Sequence, residues 1–399
     1  MGISIATARP LRVSASVRLA SPRTRASREV ARMFGLPSGG RLHLYDNLQL
    51  SVGPGVILAV VGPSGAGKSV LLRRLTAKLK GACLLDVAGL AQCDLPAVDA
   101  VAGGPSQTPS DLAERLEILS RCGLAEAQAL VTPARRLSGG QLYRLALARA
   151  MLSALRGGAS TVIADEFGSV LDDQTAHVVC QQVRKLISGS GLSLIVATPR
   201  ATLLEYLRPD VVVYKPVGEP ARVERPVWQA DQGQQRFVIQ QGRLADYRML
   251  EQFHYLSGPP ALHKRVYVAR PTDARHDASP SIAGVLIVSP PLACVAGRNA
   301  ATEHRYQLAT RRASLALLNA EVEAISRVVV HPVFRGCGVG TQLVRHALAT
   351  SPMPTMEALA AMGAVHPLFE KAGMTNHGQF AGRRGKYTYY LGKNDGVNS

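Results

Sequence analysis

Apolar and polar positions follow two different periods along this chain. Short runs dense in Val, Ile and Leu ("RLHLYDNLQLSV", "GVILAVVG", "ACLLDV", "STVIADEF", "LSLIVAT", "DVVVYKP") have the length and β-branched content of strands. Between them, "KSVLLRRLTAKL", "PSDLAERLEILSRCG", "GGQLYRLALARAML" and "QTAHVVCQQVRKLI" repeat their apolar residues at the spacing of a helix with one buried face. Strand alternating with helix predicts a mainly parallel α/β sheet covered on both faces. From Val217 the pattern breaks: "VGEPARVERPVWQADQGQQ", with its Pro, Gly and Gln, reads as a linker. A second pattern starts at Arg236 with "RFVIQQ", the helical "LADYRMLEQFHYL" and strands "KRVYVARP" and "AGVLIVS" around a hairpin tip "PTDARHDASPS". A long basic connection, strand "ISRVVVHP", a glycine cluster with a helix, and "MEALAAMG", "HPLFEKAGM" and "KYTYYLGK" complete it, which predicts an α+β fold. The expected domains are 1–216 and 236–399, joined by 217–235, with no internal repeat.

Composition adds bounds. A chain of 399 residues, 47% hydrophobic, can bury two cores without metals or disulfides. Cys83, Cys93, Cys122, Cys180, Cys294 and Cys337 are scattered with no C-x-x-C pair, which suits a reducing, cytoplasmic setting. The apolar runs are too short to cross a bilayer, so no membrane partner is expected. A net charge of +18 points to polyanions, hence to nucleic acid as a partner. With 5% aromatics, phosphate contact is expected rather than base stacking. The Arg- and Ser-rich start resembles a transit peptide in composition, but "LRVSASVRLA" alternates like a strand and reads as a domain edge. "MGISIA" lacks the Ser or Thr of a myristoylation signal.

Gly62-Pro63-Ser64-Gly65-Ala66-Gly67-Lys68-Ser69, with Val70 behind it, fits G-x-x-x-x-G-K-[ST] between a strand and a helix. Glycines there let backbone N–H groups face phosphate oxygens, Lys68 reaches the β- and γ-phosphates, and Ser69 is the expected Mg²⁺ ligand. "STVIADEF" ends in Asp165, placed to hold Mg²⁺ through water, and Glu166, placed to polarise the attacking water. Leu137-Ser138-Gly139-Gly140-Gln141 then resembles the signature loop of ABC-type ATPases, and Ser169-Val170-Leu171-Asp172 resembles their D-loop. The likeness runs over about residues 10–216. It implies a P-loop ABC ATPase that uses ATP and Mg²⁺, with Lys68 and Glu166 as catalytic residues.

It also implies a homodimer in which Ser138, Gly139 and Gly140 cap the ATP held by the partner's P-loop. Gln92 is the expected Q-loop glutamine, with Gln107 as its rival. Pro199 stands where the family has a histidine gripping the γ-phosphate. That implies slow hydrolysis, substitution by Arg200, or binding without turnover. The short stretch between Gly67 and Leu137 favours the branch of the family that works without a membrane partner.

Arg335-Gly336-Cys337-Gly338-Val339-Gly340, followed by Thr341, fits R-x-x-G-x-G between "ISRVVVHP" and the helical "VGTQLVRHAL". This resembles the acetyl-CoA-binding motif of the GNAT acyltransferase superfamily, over about residues 236–393. The likeness implies a GNAT-like domain whose loop amides and Arg335 hold a pyrophosphate at a helix N-terminus. It also implies that Val328, Val329 and Val330 pair with the pantetheine arm. Glu321, Glu323 and Ser326 are candidates for the base, Glu323 first among them. Phe369 stands where the family has its tyrosine acid, with His366 as a substitute. Arg298, His304, Arg305, Arg311, Arg312 and Tyr306 suggest a basic acceptor wall. The expected function is an ATPase coupled to acetyl-CoA-dependent N-acyl transfer on or near nucleic acid. The alternatives are an ATP-driven nucleic-acid clamp with a non-catalytic CoA-binding domain, and a transporter ATPase subunit.

Overall fold

A computed structural model describes residues 9–35, 40–157, 159–228, 236–254, 258, 260, 262–272, 280–382 and 385–394. The first residues of the chain, most of the hairpin tip and the end of the expected linker lie outside the described residues. In chain order the elements begin β1 (Arg9–Arg18), α1 (Arg25–Met33), β2 (Arg41–Val52), β3 (Ile57–Val61), α2 (Lys68–Lys78), β4 (Ala82–Leu84) and α3 (Val87–Leu90). Next come α4 (Ala97–Ala100), α5 (Pro109–Arg121), α6 (Ala127–Val131), α7 (Gly139–Leu155), β5 (Thr161–Ala164), α8 (Asp173–Ser190), β6 (Ser193–Thr198), α9 (Leu204–Leu207), β7 (Val211–Tyr214) and β8 (Arg222–Glu224). Then follow β9 (Phe237–Gln241), α10 (Leu244–Leu250), β10 (Arg265–Pro271), β11 (Gly284–Ser289), α11 (Ala296–Ala301), α12 (Arg311–Glu321) and β12 (Val322–Val330). The chain closes with α13 (Val339–Ala349), β13 (Thr355–Ala360), α14 (Leu368–Lys371), β14 (Thr375–Gly382) and β15 (Gly385–Lys393).

Two units result: Met1–Cys93 with Leu137–Gly233, and Asp94–Arg136 with Gln234–Ser399. The insert carrying α4 to α6 thus groups with the later half of the chain. In the first unit the sheet order is β4-β5-β6-β3-β7-β8, parallel except for β8. Strands β3, β5 and β6 are buried along their whole length, which explains their unbroken apolar text. Strands β1 and β2 form a separate antiparallel pair, with irregular register at Ala15. Val13, Tyr45, Leu48 and Leu50 from this pair pack with Leu71, Leu72 and Leu75 of α2 and with Leu58 and Val60 of β3. Strand β8 lies inside the stretch that reads as linker; its backbone pairs with β7 although all its side chains are exposed.

The second unit holds a seven-stranded sheet, β14-β15-β13-β12-β11-β10-β9, in which only β12 and β13 run parallel. One face packs on α13, with Leu343, Val344 and Ala347 against Leu286, Ile325 and Met356. The other packs on α10 through Tyr247 and Leu250. The basic connection is not a loop: it forms α11 and α12, the latter capped where Thr310 Oγ1 accepts from Ala313 N.

Candidate functional site

The P-loop leaves buried β3 and enters α2. A Cβ on Gly62 would stand 2.1 Å from the Lys215 carbonyl oxygen, so only glycine fits. Gly65 and Gly67 have φ of 80° and 96°, the left-handed region, and Gly67 is the N-cap of α2. Lys68 is buried, and its Nζ donates to the Gly62 and Pro63 carbonyls at 2.7 and 2.8 Å. Burial lowers its pKa, while the nearby charges of Asp165 and Glu166 act in the opposite sense. Those two carboxylates follow β5, Asp165 half-buried and Glu166 exposed. Glu166 holds a left-handed φ of 51°, and its N–H donates to Asp165 Oδ1 at 3.0 Å. The loop around it is fixed by Phe167 N donating to Ala197 O at 2.7 Å and Ser169 Oγ donating to Glu166 O at 2.8 Å.

Ser138 caps α7 reciprocally with Gln141: Ser138 Oγ accepts from Gln141 N at 3.3 Å, and Gln141 Oε1 accepts from Ser138 N at 3.1 Å. Gly139 at the start of this 17-residue helix is exposed with nothing within 4 Å of a Cβ, and a Cβ on Gly140 would stand 3.2 Å from Val170 O of the D-loop. The signature helix therefore starts against the D-loop.

Two expectations for this unit change. Gln92, the expected Q-loop glutamine, falls in the exposed turn after the one-turn helix α3, which Asp86 caps, and not directly after a strand. Arg200 does not reach toward the P-loop: its Nη1 donates to Gly168 O and Leu171 O at 2.6 and 2.9 Å, and its Nη2 pairs with Asp173.

In the second unit β12 pairs with β13 only from Val322 to Ile325, while its other edge follows β11 to Val330 with a register shift at Ser326. Val328, Val329 and Val330 thus lie on a stretch that has parted from β13. Gly336 and Gly338 adopt φ of 80° and 82°, Gly338 is the N-cap of α13, and a Cβ on Gly340 would meet Leu368 at 3.0 Å. Cys337 and Thr341 are half-buried beside them, and Val339 is buried against Gly284. Arg335 is committed to carbonyls: its Nε donates to Val330 O at 3.2 Å, and its Nη1 donates to Ala125 O. Burial lowers its pKa.

Glu323 is a correction. It is 1% exposed, contacted by Arg265 Nη1 at 3.1 Å, Lys264 Nζ at 3.3 Å and Ser351 Oγ at 3.1 Å. A carboxylate held by two cations and a hydroxyl is a structural ion pair, not a free base. Glu321 is likewise engaged by Arg305 at 2.6 and 2.9 Å and by Tyr306 Oη at 3.1 Å, and the Arg305 bonds lower its pKa. Ser326 Oγ lies 2.7 Å from Ser289 Oγ. Phe369 is buried against Tyr390, and His366 is exposed before α14. Arg298 leaves the expected basic wall: it is buried with Glu357, Nε to Oε2 at 2.8 Å and Nη2 to Oε1 at 2.6 Å, where Tyr389 Oη also donates at 2.9 Å.

A parallel sheet, a glycine cradle between β3 and a helix, a carboxylate pair just past β5 two strands away and a capped helix start define a P-loop nucleotide-binding unit. Residues 45–166 match the family model described as "ABC transporter". The lipoprotein-releasing system ATP-binding protein LolD of Maricaulis maris is 31% identical over 192 residues, covering 40% of this chain and 80% of LolD. LolD of Novosphingobium aromaticivorans is 30% identical over 219 residues, covering 47% and 93%. The methionine import ATP-binding protein MetN of Corynebacterium glutamicum is 26% identical over 214 residues, and the chain spans 58% of its length. Among solved structures, the dimeric post-hydrolysis ATP-binding cassette MJ0796 bound to ADP and Pi is 20% identical, covering 47% of this chain and 92% of that one, with a TM-score of 0.37. The chain belongs to the ABC transporter ATP-binding family. Among the described residues no helix is long and apolar enough to cross a membrane.

Proposed function

We propose that this protein is an ATP-hydrolysing ABC ATPase that dimerises on ATP and governs acetyl-CoA-dependent N-acyl transfer by its second unit, on or near nucleic acid. The observation that carries the ATPase part is the cradle itself: Gly62 pressed against Lys215 O, Lys68 lying over the loop, and Asp165 and Glu166 close enough to act on its charge. The donor set suits a nucleotide with Mg²⁺, held by Ser69 and Asp165, where the ion supplies neutralisation of phosphate charge. Lys68 gives the cradle its cation, the α2 N-terminus adds positive potential, and the Glu166 carboxylate orients water and accepts its proton.

The acyl-transfer part is supported by the strand parting after Ile325 beside left-handed Gly336 and Gly338 at the mouth of α13. The edge of Val328–Val330 that has parted from β13 suits an amide-bearing arm, with Val330 O already taken by Arg335, and the loop N–H groups suit a pyrophosphate. With Arg335 tied to carbonyls, those amides carry the anion. On this reading the pyrophosphate of acetyl-CoA would rest on these amides, and the Arg335 guanidinium is a lesser part of the site than the sequence suggests.

Incubation with ATP, Mg²⁺ and labelled acetyl-CoA should move label to DNA, RNA or an acidic protein, and Gly338→Val should abolish it. Binding of acetyl-CoA with no transfer to any acceptor would replace the enzyme by a clamp. The names of the relatives favour a second reading, an ATPase subunit that drives a membrane partner. DNA binding that weakens steeply with salt would argue against it.

A further inference from the structure

We infer that Arg200 is a positioning residue of the ATPase site, a clamp on the D-loop that sets the loop carrying Glu166; the inference rests on the ATPase reading above. Residue 200 follows β6 through Pro199, which has no N–H and no donor side chain. The Arg200 guanidinium turns toward the D-loop. Nη1 donates to Gly168 O at 2.6 Å and Leu171 O at 2.9 Å, and Nη2 pairs with Asp173 at the start of α8. Gly168 and Asp173 bracket Ser169–Asp172, the whole D-loop, and Leu171 lies within it.

The other side of the same loop is held at Phe167 N and Ser169 Oγ. Immediately before both anchorages Glu166, whose own carbonyl accepts from Ser169 Oγ, sits at φ 51°, a backbone state that a glutamate keeps only when its surroundings enforce it. Planar geometry matters: one guanidinium serves two carbonyls and a carboxylate, whereas an ammonium on a flexible stem does not reproduce that fork. With Nη1 spent on carbonyls and Nη2 on Asp173, the side chain acts on Glu166 and the D-loop, not on phosphate.

Steady-state ATPase assays with Arg200→Ala and Arg200→Lys test this. Arg200→Ala should lower kcat at least about 10-fold while leaving the KM for ATP within about 2-fold, since misplacement by a fraction of an ångström acts on the chemical step. Arg200→Lys, which can still reach Asp173, should fall between wild type and Arg200→Ala. A raised KM with kcat preserved would overturn the inference in favour of phosphate contact, and an unchanged kcat would overturn it outright. So would a kcat loss that merely tracks the unfolded fraction and that lysine does not relieve. A wild-type chain that binds ATP without turnover would defeat the ATPase reading separately. ATP-driven dimerisation in the Glu166→Gln background then reads the clamp, because the D-loop adjoins the signature helix. About 10-fold weaker dimerisation on adding Arg200→Ala supports it, and equal dimerisation overturns it.

Discussion

At Gly62 the P-loop has no room for even one methyl. Lys215 O, 2.1 Å from where a Cβ would stand, is backbone at the end of β7 and cannot swing away. Gly62→Ala should cost about 1–3 kcal/mol through overpacking and weaken ATP binding at least 10-fold, measured by nucleotide titration and thermal unfolding. Gly65, left-handed but with nothing within 4 Å, is the control: Gly65→Ala carries only the backbone penalty, about 1–2 kcal/mol. These residues are legible in the sequence because their chemistry is local: cradle, lysine and hydroxyl fall within eight positions. Glu323 is not legible in the same way, since Arg265, Lys264 and Ser351 reach it from far along the chain. Arg200 is half-legible. Proline before it shows that the usual histidine is missing, but nothing local shows where the guanidinium turns.

Elements were readable where one face or both faces are buried over enough residues. Buried β3, β5 and β6, the long α7 and α8, and the strand–loop–helix around Gly336 all follow their apolar text. Short elements defeat that reading, because α11 and α3 each offer fewer than two turns of periodicity. Helix α11 is where this matters most, for it carries Arg298 into the sheet onto Glu357 of β13 and Tyr389 of β15. Glu357→Ala would leave a buried arginine without its anion and should destabilise the second unit by about 3–5 kcal/mol. Combining Arg298→Met with Glu357→Leu should restore most of it, as denaturant unfolding of the three proteins would show.

For the whole molecule, the proposed head-to-tail sandwich, with one P-loop and one signature helix per chain, requires two chains around ATP. Glu166→Gln should accumulate a dimer with saturating ATP and Mg²⁺ and revert to monomer on chelation, read by light scattering. If it stays monomeric, the head-to-tail arrangement fails. Net charge of +18 was plain from composition, yet composition could not say that Arg298 is interior or that Arg305 is neutralised by Glu321. Charge counted along a chain is not charge presented at a surface.

Asp94–Arg136 shares a unit with Gln234–Ser399, while Leu137–Gly233 belongs to the other. On the ribosome, those 43 residues emerge long before their eventual neighbours. Ala125, whose carbonyl accepts from Arg335 in the finished protein, must wait for that donor through the synthesis of an entire intervening segment. A nascent chain stalled near residue 233 should therefore show an insert open to protease that closes only once translation runs on past α13.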